Sequence, residues 1–446
     1  MKKRLMLTVL GVLVGLAASL PAHAVDFKYG GMYFARWQSQ DNLTDGNDDT
    51  DDNGNWFDQR LRMFFTFVGS EKLQLVTKWE ADTQWGRESQ GAGRHGGGDI
   101  GADATNLEMK NVYLEFMVPG LEATATLGVQ GTDILSGWIF SDDFSGAVIS
   151  KTFDPLNVRV GYIAGQNQNV TDVSENIDDF FLELSYAQGP FSATLVGFYQ
   201  SANNNKTSLF EDYNYDQPVD WLNGRDVRGN DLIDLGVNLS YKTDWISAYV
   251  NFVKNFGSYD IVGGGSGDYK GWMVEARGDF TVSQFVLSAG GFYTTGDDDL
   301  DDNDVDAFVY PIGRSYYWSE ILGLGTLDVN SFGFDTYNSV GQGAYMPGDG
   351  PSNLWMLTAG LKWQALEETA LTFNYYYIAT AEKVESAPGK KDDAIGHEIN
   401  FYLDQGIVDS LSLRFVAAYL FADDAFKSIK GEDDVYELGA VLEWDF

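Results

Sequence analysis

The chain has 446 residues with 66 acidic and 29 basic side chains, so its formal net charge is −37, and it contains no cysteine. So large a negative charge repels a polyphosphate backbone, which argues against a nucleic-acid partner. The lack of cysteine excludes disulfides, thiolate metal sites and covalently attached haem. Aromatic residues make up 15% of the chain. This composition favours a membrane β-barrel, which exposes aromatic side chains at both membrane interfaces, over a soluble acidic protein that buries them.

The first 24 residues are typical of a secretory signal peptide. Basic residues at positions 2–4 precede an apolar run over residues 5–20, and the tripeptide at 22–24 has the A-x-A form of a cleavage site. We expect cleavage after Ala24. No later stretch of about 18 residues is apolar enough to form a transmembrane helix. The mature chain is therefore either a soluble secreted protein or a β-barrel.

Short segments with a period of two fill the mature sequence. In WFDQRLRMFFTFV (56–68), apolar residues at 57, 61, 63, 65 and 67 alternate with polar ones at 58, 60, 62 and 66. Residues 233–242 and 371–379 alternate in the same way. Such a period indicates β-strands with two different environments. A soluble sandwich would also alternate, but here tight turns near positions 70, 119, 154, 189, 243, 282, 367 and 406 are separated by long acidic loops, which is typical of outer-membrane barrels.

These turns predict an all-β fold, a transmembrane antiparallel up-and-down β-barrel of about 18 strands with short periplasmic turns and long extracellular loops. A single barrel domain would occupy residues 25–446. We place the strands at residues 26–39, 56–69, 72–86, 105–118, 121–131, 144–153, 156–165, 177–188, 191–201, 231–243, 244–257, 269–281, 283–296, 353–364, 369–381, 393–405, 408–422 and 433–446.

The final strand carries the most specific signal. Apolar residues occupy every second position from Tyr436 to Phe446, the last residue given. This ending resembles the terminal phenylalanine tag of outer-membrane barrels. The tract 396–421 resembles the penultimate hairpin of alginate-export-type porins and of porins from sulfur- and metal-reducing bacteria, and the strand count is similar to that of the OprD-type family. The resemblance implies a Gram-negative outer-membrane porin in contact with the bilayer and lipopolysaccharide, either monomeric or homo-oligomeric.

Few residues of the mature chain could carry out catalysis. Only His95 and His397 remain after signal cleavage. His397 is in phase with the apolar residues Ile395, Ile399 and Phe401, so we expect it to face lipid. His95 lies in a glycine-rich stretch that lacks the following helix of a phosphate-binding loop. Neither histidine belongs to a catalytic constellation, so we predict no enzymatic activity and no tightly bound cofactor.

Two acidic runs are candidates for calcium binding. Residues 45–52 (DGNDDTDD) and 297–306 (DDDLDDNDVD) supply the oxygen ligands that Ca²⁺ prefers. Neither run has the glycine and distal glutamate at the spacing of an EF-hand. We interpret them as solvated extracellular loops that bind Ca²⁺ loosely at most, together with lipopolysaccharide.

The alternation also assigns side chains to the wall of the pore. If odd-numbered residues of the second predicted strand face lipid, then Arg60 and Arg62 face the lumen. The same reasoning predicts seven pore-lining residues: Arg36, Arg60, Arg62, Lys78, Arg414, Glu437 and Glu443. The basic residues of the first three strands would lie beside the acidic ones of the closing strand. This arrangement would either impose a transverse field on solutes or form ion pairs that stabilise the barrel, and both interpretations stay open.

The longest connection, residues 297–352, is a candidate constriction. A barrel of this width leaves an aqueous channel unless something narrows it, and long connections are often functional. Its middle, VYPIGRSYYWSEILGLGTLD (309–328), is rich in aromatic and apolar residues, so we expect it to fold into the lumen or mouth. The residues that would then meet the solute are Arg314, Tyr316, Tyr317, Trp318 and Glu320. A lid packed against other extracellular loops is the alternative.

Two classes of function remain open from the sequence. The first is a passive porin for small hydrophilic solutes such as ions, sugars or organic acids. The second is a scaffold barrel that encloses a partner, such as a multihaem cytochrome in an electron conduit. A TonB-dependent receptor is disfavoured, because the first strand follows the signal peptide without a plug domain.

Deletion of Phe446, or the substitution Phe446→Asp, is predicted to reduce assembly, because the closing strand loses its terminal aromatic side chain. The measurement is the fraction of heat-modifiable, folded barrel in outer membranes. Phe446→Tyr keeps an aromatic ring and should assemble like the wild type. Equal yields for all of these variants would contradict the prediction.

Overall fold

The alternating segments form β-strands whose two faces differ in burial. The computed structural model describes residues 25–42, 54–88, 96–101, 105–167, 176–202, 227–261, 264–299, 302–311, 316–323, 325–327, 351–429 and 433–446. No helix within these ranges is long and apolar enough to cross a membrane. Residues 1–24 lie outside the described residues, so the signal peptide and its cleavage after Ala24 stay predictions.

Strands dominate the described residues, and each predicted strand corresponds to one of them. In chain order the strands are β1 (Asp26–Asp41), β2 (Gly54–Ser70), β3 (Leu73–Gln84), β4 (Glu108–Val118), β5 (Ala123–Ile134), β6 (Phe140–Phe153), β7 (Leu156–Asn167), β8 (Asn176–Gln188), β9 (Phe191–Ala202), β10 (Val227–Lys242), β11 (Ile246–Ile261), β12 (Ser266–Asp268), β13 (Trp272–Val282), β14 (Phe285–Thr294), β15 (Leu354–Leu366), β16 (Thr369–Ala387), β17 (Lys390–Val408), β18 (Leu411–Ala422) and β19 (Val435–Asp445). A short helix, α1 (Asp424–Ile429), precedes β19.

Consecutive strands pair antiparallel around a closed ring. The first strand, β1, pairs with both β2 and β19, so the last strand closes against the first. The short strand β12 lies beside β11, but β13 continues the ring on β11. Without β12, the wall of the barrel has 18 strands, which confirms the predicted fold class and strand number.

The two ends of the barrel differ in the length of their connections. At one end, which we call the short-turn end, turns of two to four residues join the strands. The opposite end, the long-connection end, carries the connection between β14 and β15. The turn predicted near positions 406–407 is wrong by a few residues. The strand β17 continues through an irregularity to Val408, and the turn lies at Asp409 and Ser410.

The outer face of the wall is apolar and the inner face is polar. On β2, Phe57 and Phe67 are exposed on the outside, whereas Asp58 and Arg60 are buried on the inside. The ring of Phe65 stacks on that of Phe27 from β1, with a centroid distance of 5.7 Å. These positions agree with the register predicted for the second strand. An exposed apolar surface of this kind is the surface that a barrel presents to lipid.

The chain terminus takes part in closing the barrel. The backbone N–H of Gly31 donates to the carbonyl of Phe446 at 2.9 Å, and the N–H of Phe446 donates to the carbonyl of Gly31 at 3.0 Å. A Cβ atom at position 31 would lie 2.5 Å from the Phe446 ring. Glycine at this position therefore lets the terminal ring lie flat against the first strand, next to Trp444 at 4.7 Å.

The substitution Phe65→Arg is expected to destabilise the folded barrel, because it places a charge on the lipid-facing surface. The cost is about 2–4 kcal/mol at the membrane midplane and less near the interfaces. The neighbouring substitution Thr66→Arg points into the lumen and should cost less. Folding titrations in lipid vesicles measure both values, and the reverse order would show that the register of β2 is shifted by one residue.

Candidate functional site: the barrel lumen

The connection between β5 and β6 turns into the barrel. Leu135 and Gly137 have positive φ angles of 54° and 80°, a conformation that reverses the chain within a few residues. Trp138 is fully buried. A Cβ atom at Gly236, on β10, would lie 2.9 Å from the side chain of Leu135. Glycine at that position thus lets the turn lie against the inner wall. We call residues 135–139 the first inward segment.

Part of the connection between β14 and β15 also lies inside the barrel. The carboxylate of Glu398, on the inner face of β17, accepts hydrogen bonds from the backbone of residues 320–322 at 2.9, 3.0 and 3.2 Å. It also accepts one from the hydroxyl of Ser319 at 3.0 Å. A buried carboxylate with several N–H donors fixes the backbone around it. We call the described residues of the range 316–327 the second inward segment.

The second inward segment follows the inner wall from β13 to β1. At its start, the hydroxyl of Tyr316 donates to the carboxylate of Glu275 on β13. At its end, the guanidinium of Arg36 on β1 donates to the carbonyl of Leu327 at 2.6 Å. The segment therefore covers the inner faces of β13–β19 and reaches the point where the ring closes.

Apolar side chains fill the space between the inward segments and the wall. The rings of Trp138 and Tyr316 lie 4.1 Å apart, and Trp318 packs edge-on against Phe292 at 5.1 Å. Further members of this cluster are Val196, Met273, Phe308, Ile321, Leu322, Met356, Ile378 and Leu420. The lumen beside β9–β19 is thus filled by a hydrophobic core, which also includes Phe144 of β6, Ile163 of β7 and Phe181 of β8.

A polar cavity of about 780 Å³ lies on the opposite side of the lumen. It is lined by inner-face residues of β2–β6 and by Tyr317 of the second inward segment. Its charged lining residues are Arg62, Lys78, Lys110, Asp133, Asp142 and Asp143. The basic groups belong to β2–β4 and the acidic groups to β5 and β6, and the two signs meet in the ion pair of Lys110 with Asp143 at 3.1 Å.

A second cavity of about 300 Å³ continues the first toward the short-turn end. The two cavities share four lining residues of β5: Thr126, Gln130, Gly131 and Thr132. The second cavity adds Glu115 and Arg159, and Arg159 donates to Glu183 at 3.0 Å. We call the two cavities together the polar passage. It runs along β5, on the side of the lumen that the inward segments leave open.

Ion pairs between adjacent strands neutralise buried charges beside the passage. Arg60 and Asp82 are direct partners across β2 and β3, and the guanidinium and carboxylate lie 2.5 Å apart. Arg60 also lies 3.4 Å from Glu80, and Glu80 accepts a hydrogen bond from Arg62. Because charge buried without a partner is costly, these pairs stabilise the wall.

The predicted pore-lining residues of the first three strands divide into two groups. Arg62 and Lys78 line the polar passage. Arg36 and Arg60 are each only 2% exposed, and Arg36 pairs with Asp58 of the adjacent strand at 2.8 Å. Their charges are therefore paired with carboxylates within β1–β3. The alternation of the sequence gives the face of a side chain but not its partner across the sheet.

The other three predicted wall residues lie away from the polar passage. Arg414 pairs with Asp404 at 2.6 Å near the short-turn end of β18. Glu437 is fully buried on β19, and Glu443 is partly buried on the same strand. Among the described residues, these three do not belong to the lining of the two cavities.

The predicted constriction residues also have different positions. Tyr317 is half exposed and lines the polar passage. Tyr316 and Trp318 pack into the hydrophobic core instead. Glu320 is buried, and it accepts hydrogen bonds from the Leu327 N–H and the Tyr402 hydroxyl, both at 2.8 Å.

For Tyr316, Trp318 and Glu320 the structure thus differs from the sequence prediction. These side chains hold the second inward segment in place and do not meet the passage. Arg314 lies outside the described residues, so its role stays a prediction.

The acidic loops contribute charge at the long-connection end. Residues 45–52 lie outside the described residues. Three carboxylates of the second run, Asp297, Asp298 and Asp306, have oxygen atoms within 4.8 Å of one another. Loose Ca²⁺ binding there stays a prediction. In the same region the Lys270 ammonium donates to Asp304 and holds the pKa of that carboxyl below its usual range.

The described histidine lies on the outer face of the barrel. The Nδ1 atom of His397 is 2.6 Å from the hydroxyl oxygen of Tyr375, and its ring lies 5.1 Å from that of Tyr377. This position agrees with the prediction that His397 faces lipid. The predicted phase is wrong for Ile395, which is buried in the hydrophobic core, because a register shift between Ala394 and Gly396 interrupts the alternation there. His95 lies outside the described residues.

Sequence reasoning missed the first inward segment and the carboxylates that hold both segments. A signal for the segment was present, because the connection ILSGWIF at 134–140 is as apolar as the middle of the longer connection. The role of Glu275 and Glu398 as anchors could not be read from the sequence. Each accepts hydrogen bonds from residues that are distant along the chain.

The substitution Arg60→Ala is expected to destabilise the barrel by about 3–5 kcal/mol, because it leaves Asp82 and Glu80 buried beside a lost partner. Arg277 is a matched control, since it is 43% exposed and lies 3.7 Å from Asp279. Arg277→Ala should change the free energy of unfolding by about 0.5 kcal/mol or less. Urea unfolding in lipid vesicles measures both variants. Equal costs would show that the Arg60 ion pairs do not stabilise the wall.

Comparison with known proteins gives matches in structure only. No protein-family model and no curated protein matches the sequence. Among solved structures, the outer membrane protein opdK of Pseudomonas aeruginosa is 10% identical, with a TM-score of 0.55 over 94% of this chain and 98% of that chain. OprD of the same organism is 12% identical, with a TM-score of 0.54 over 94% and 95%.

The likeness extends to a second organism. OccAB3 of Acinetobacter baumannii is 10% identical, with a TM-score of 0.55 over 94% of this chain and 99% of that chain. The coverage is nearly complete on both sides, so the match includes the whole barrel. The chain has the 18-stranded barrel fold of these OprD-type and Occ-type proteins.

Proposed function

We propose that this chain is an outer-membrane porin, a channel for the passive diffusion of small hydrophilic solutes. The observation that carries the proposal is the polar passage along β5. A barrel of this width has room for water inside, and here the inward segments fill one side of the lumen while charged and polar side chains line the other. The fold shared with the outer membrane protein opdK supports the same function.

The outer surface supports a location in the outer membrane. Large apolar side chains are exposed on the outer faces of strands all around the ring, among them Leu127, Leu195, Leu239, Leu287, Leu357 and Phe401. Exposed apolar area of this extent would be unfavourable in water and is favourable in contact with lipid. Contact with lipopolysaccharide at the long-connection end is part of the same proposal.

The size and charge of the passage point to small polar solutes. The larger cavity has a volume of about 780 Å³. Its lining includes Arg62 and Lys78 of β2 and β3 and Asp133 and Asp142 of β5 and β6, so a solute inside it experiences charges of both signs. Such a passage suits ions, sugars and organic acids.

The alternative of a barrel that encloses a partner protein is not favoured. A partner in the lumen would need the space that the hydrophobic core occupies beside β9–β19. The inward segments are held there by buried hydrogen bonds to Glu275, Glu398 and Arg36. The passage that remains suits small solutes. We also propose no catalytic activity, because the described residues that line the passage include no histidine.

Removing one charge from the passage is expected to change its ion selectivity in a direction set by the sign of that charge. Lys78→Ala should shift the permeability ratio toward cations, and Asp142→Asn should shift it toward anions. The reversal potential of single channels in a salt gradient measures both shifts. They should shrink at about 1 M salt, where the Debye length falls to about 3 Å.

Lys390→Ala is the control for this experiment, because Lys390 lies outside the lumen in an exposed pair with Asp424. Its reversal potential should match that of the wild type. Shifts of the same sign for Lys78→Ala and Asp142→Asn would contradict the assignment of the passage. A wild-type barrel that folds but does not conduct would contradict the proposed function itself.

A further inference from the structure

Glu275 lies where the two inward segments meet. It belongs to β13, near the middle of the strand, and its side chain is buried on the inner face. Two donors reach it from β11 of the wall, Tyr249 at 2.8 Å and Asn251 at 2.9 Å. Two more come from inside the barrel, the indole N–H of Trp138 at 2.6 Å and the hydroxyl of Tyr316.

Residues of the wall and of the inward segments share the two oxygen atoms of the Glu275 carboxylate. Each oxygen accepts two hydrogen bonds, one from the wall and one from an inward segment. Hydrogen bonds to a carboxylate are about twice as strong as those between neutral groups. Both inward segments thus have a strong bond to the same side chain.

The contact also couples the two segments to each other. The centroids of the Trp138 and Tyr316 rings lie 4.1 Å apart, with an angle of 31° between the ring planes, and both side chains bind the same carboxylate. Trp138 belongs to the first inward segment and Tyr316 to the second. The next residue, Tyr317, lines the polar passage. A shift of Tyr316 away from Glu275 would therefore move a side chain that bounds the passage.

We propose that Glu275 is a positioning residue that holds both inward segments against the wall and thereby sets the width of the polar passage. The proposal rests on the proposed porin function, because the width of the passage matters only if solutes diffuse through it. The contacts of Glu275 with the inward segments do not depend on conduction. Loss of the carboxylate releases Trp138 and Tyr316 together. The passage then fluctuates between a narrow state and a wider state in which Tyr317 has moved.

Tyr316→Phe and Tyr249→Phe form a matched pair of variants. Each removes one hydroxyl that donates to the same oxygen of Glu275. Only Tyr316→Phe affects an inward segment, because Tyr249 belongs to the wall. A lost hydrogen bond to a charged group should raise the population of the released segment about tenfold, which corresponds to about 1.4 kcal/mol. Glu275→Gln replaces an acceptor with a donor and should have at least the effect of Tyr316→Phe.

Two measurements on the folded barrel test the proposal. The first is hydrogen exchange of the backbone amide of Trp318, two residues after Tyr316, which donates to the carbonyl of Gly323 at 3.0 Å. This exchange reports local opening and does not require conduction. Exchange should be about tenfold faster in Tyr316→Phe than in the wild type. In Glu275→Gln it should be at least as fast as in Tyr316→Phe, and in Tyr249→Phe it should match the wild type. The second is single-channel recording, in which Tyr316→Phe and Glu275→Gln should visit a level of higher conductance more often than the wild type.

Several results would overturn the proposal. One is exchange at the wild-type rate in both Tyr316→Phe and Glu275→Gln. Another is equal acceleration in Tyr316→Phe and Tyr249→Phe, which would indicate general loosening of the wall. Faster exchange with an unchanged conductance record would show that Glu275 holds the segments but does not set the width of the passage. A wild-type barrel without conductance would count against the porin function, and the exchange rates would still decide whether Glu275 is the anchor.

Discussion

The interior of an 18-stranded barrel is wider than the side chains of its wall can fill, and the rest of the structure depends on how that space is used. Here two inward segments fill one side. Each would expose apolar side chains if it stayed in water, so burial inside the barrel is favourable. Buried polar groups of the wall fix where the segments lie, because a buried carboxylate left without donors is costly. Glu398 holds the second inward segment from β17, and Glu275 holds both segments from β13.

The charges of β1–β3 follow from the same constraint. A buried guanidinium needs a partner, and Arg36 and Arg60 find theirs on the adjacent strands in direct register. Arg62 is partly exposed and shares Glu80 with Arg60. It reaches the passage, as does Lys78 from β3. The paired charges of Arg36 and Arg60 therefore stabilise the wall, whereas Arg62 and Lys78 face the solute. The passage lies on the polar side of the lumen because the inward segments and the hydrophobic core fill the other side.

The fold could be predicted from the sequence because a strand between lipid and lumen has a strict period of two. The terminal alternation up to Phe446 and the tight turns fixed the closure and the number of strands. The period could not show that Arg60 is paired, since Asp82 becomes its neighbour only through the register of β2 and β3. The apolar content of residues 309–328 indicated an inward fold. It could not separate Tyr317, which faces the passage, from Trp318, which is buried.

The division of the lumen into a filled side and an open side can be measured directly, because the chain has no cysteine. Thr126 lines the polar passage, and Ala418 lies on the inner face of β18 under the hydrophobic core. The single-cysteine variants Thr126→Cys and Ala418→Cys can be treated with a hydrophilic thiol reagent during single-channel recording. We predict that the reagent modifies the cysteine at position 126 and lowers the conductance, while the cysteine at position 418 reacts only after unfolding. Equal reaction at both positions, or an unchanged conductance after modification at position 126, would contradict the assignment of the passage.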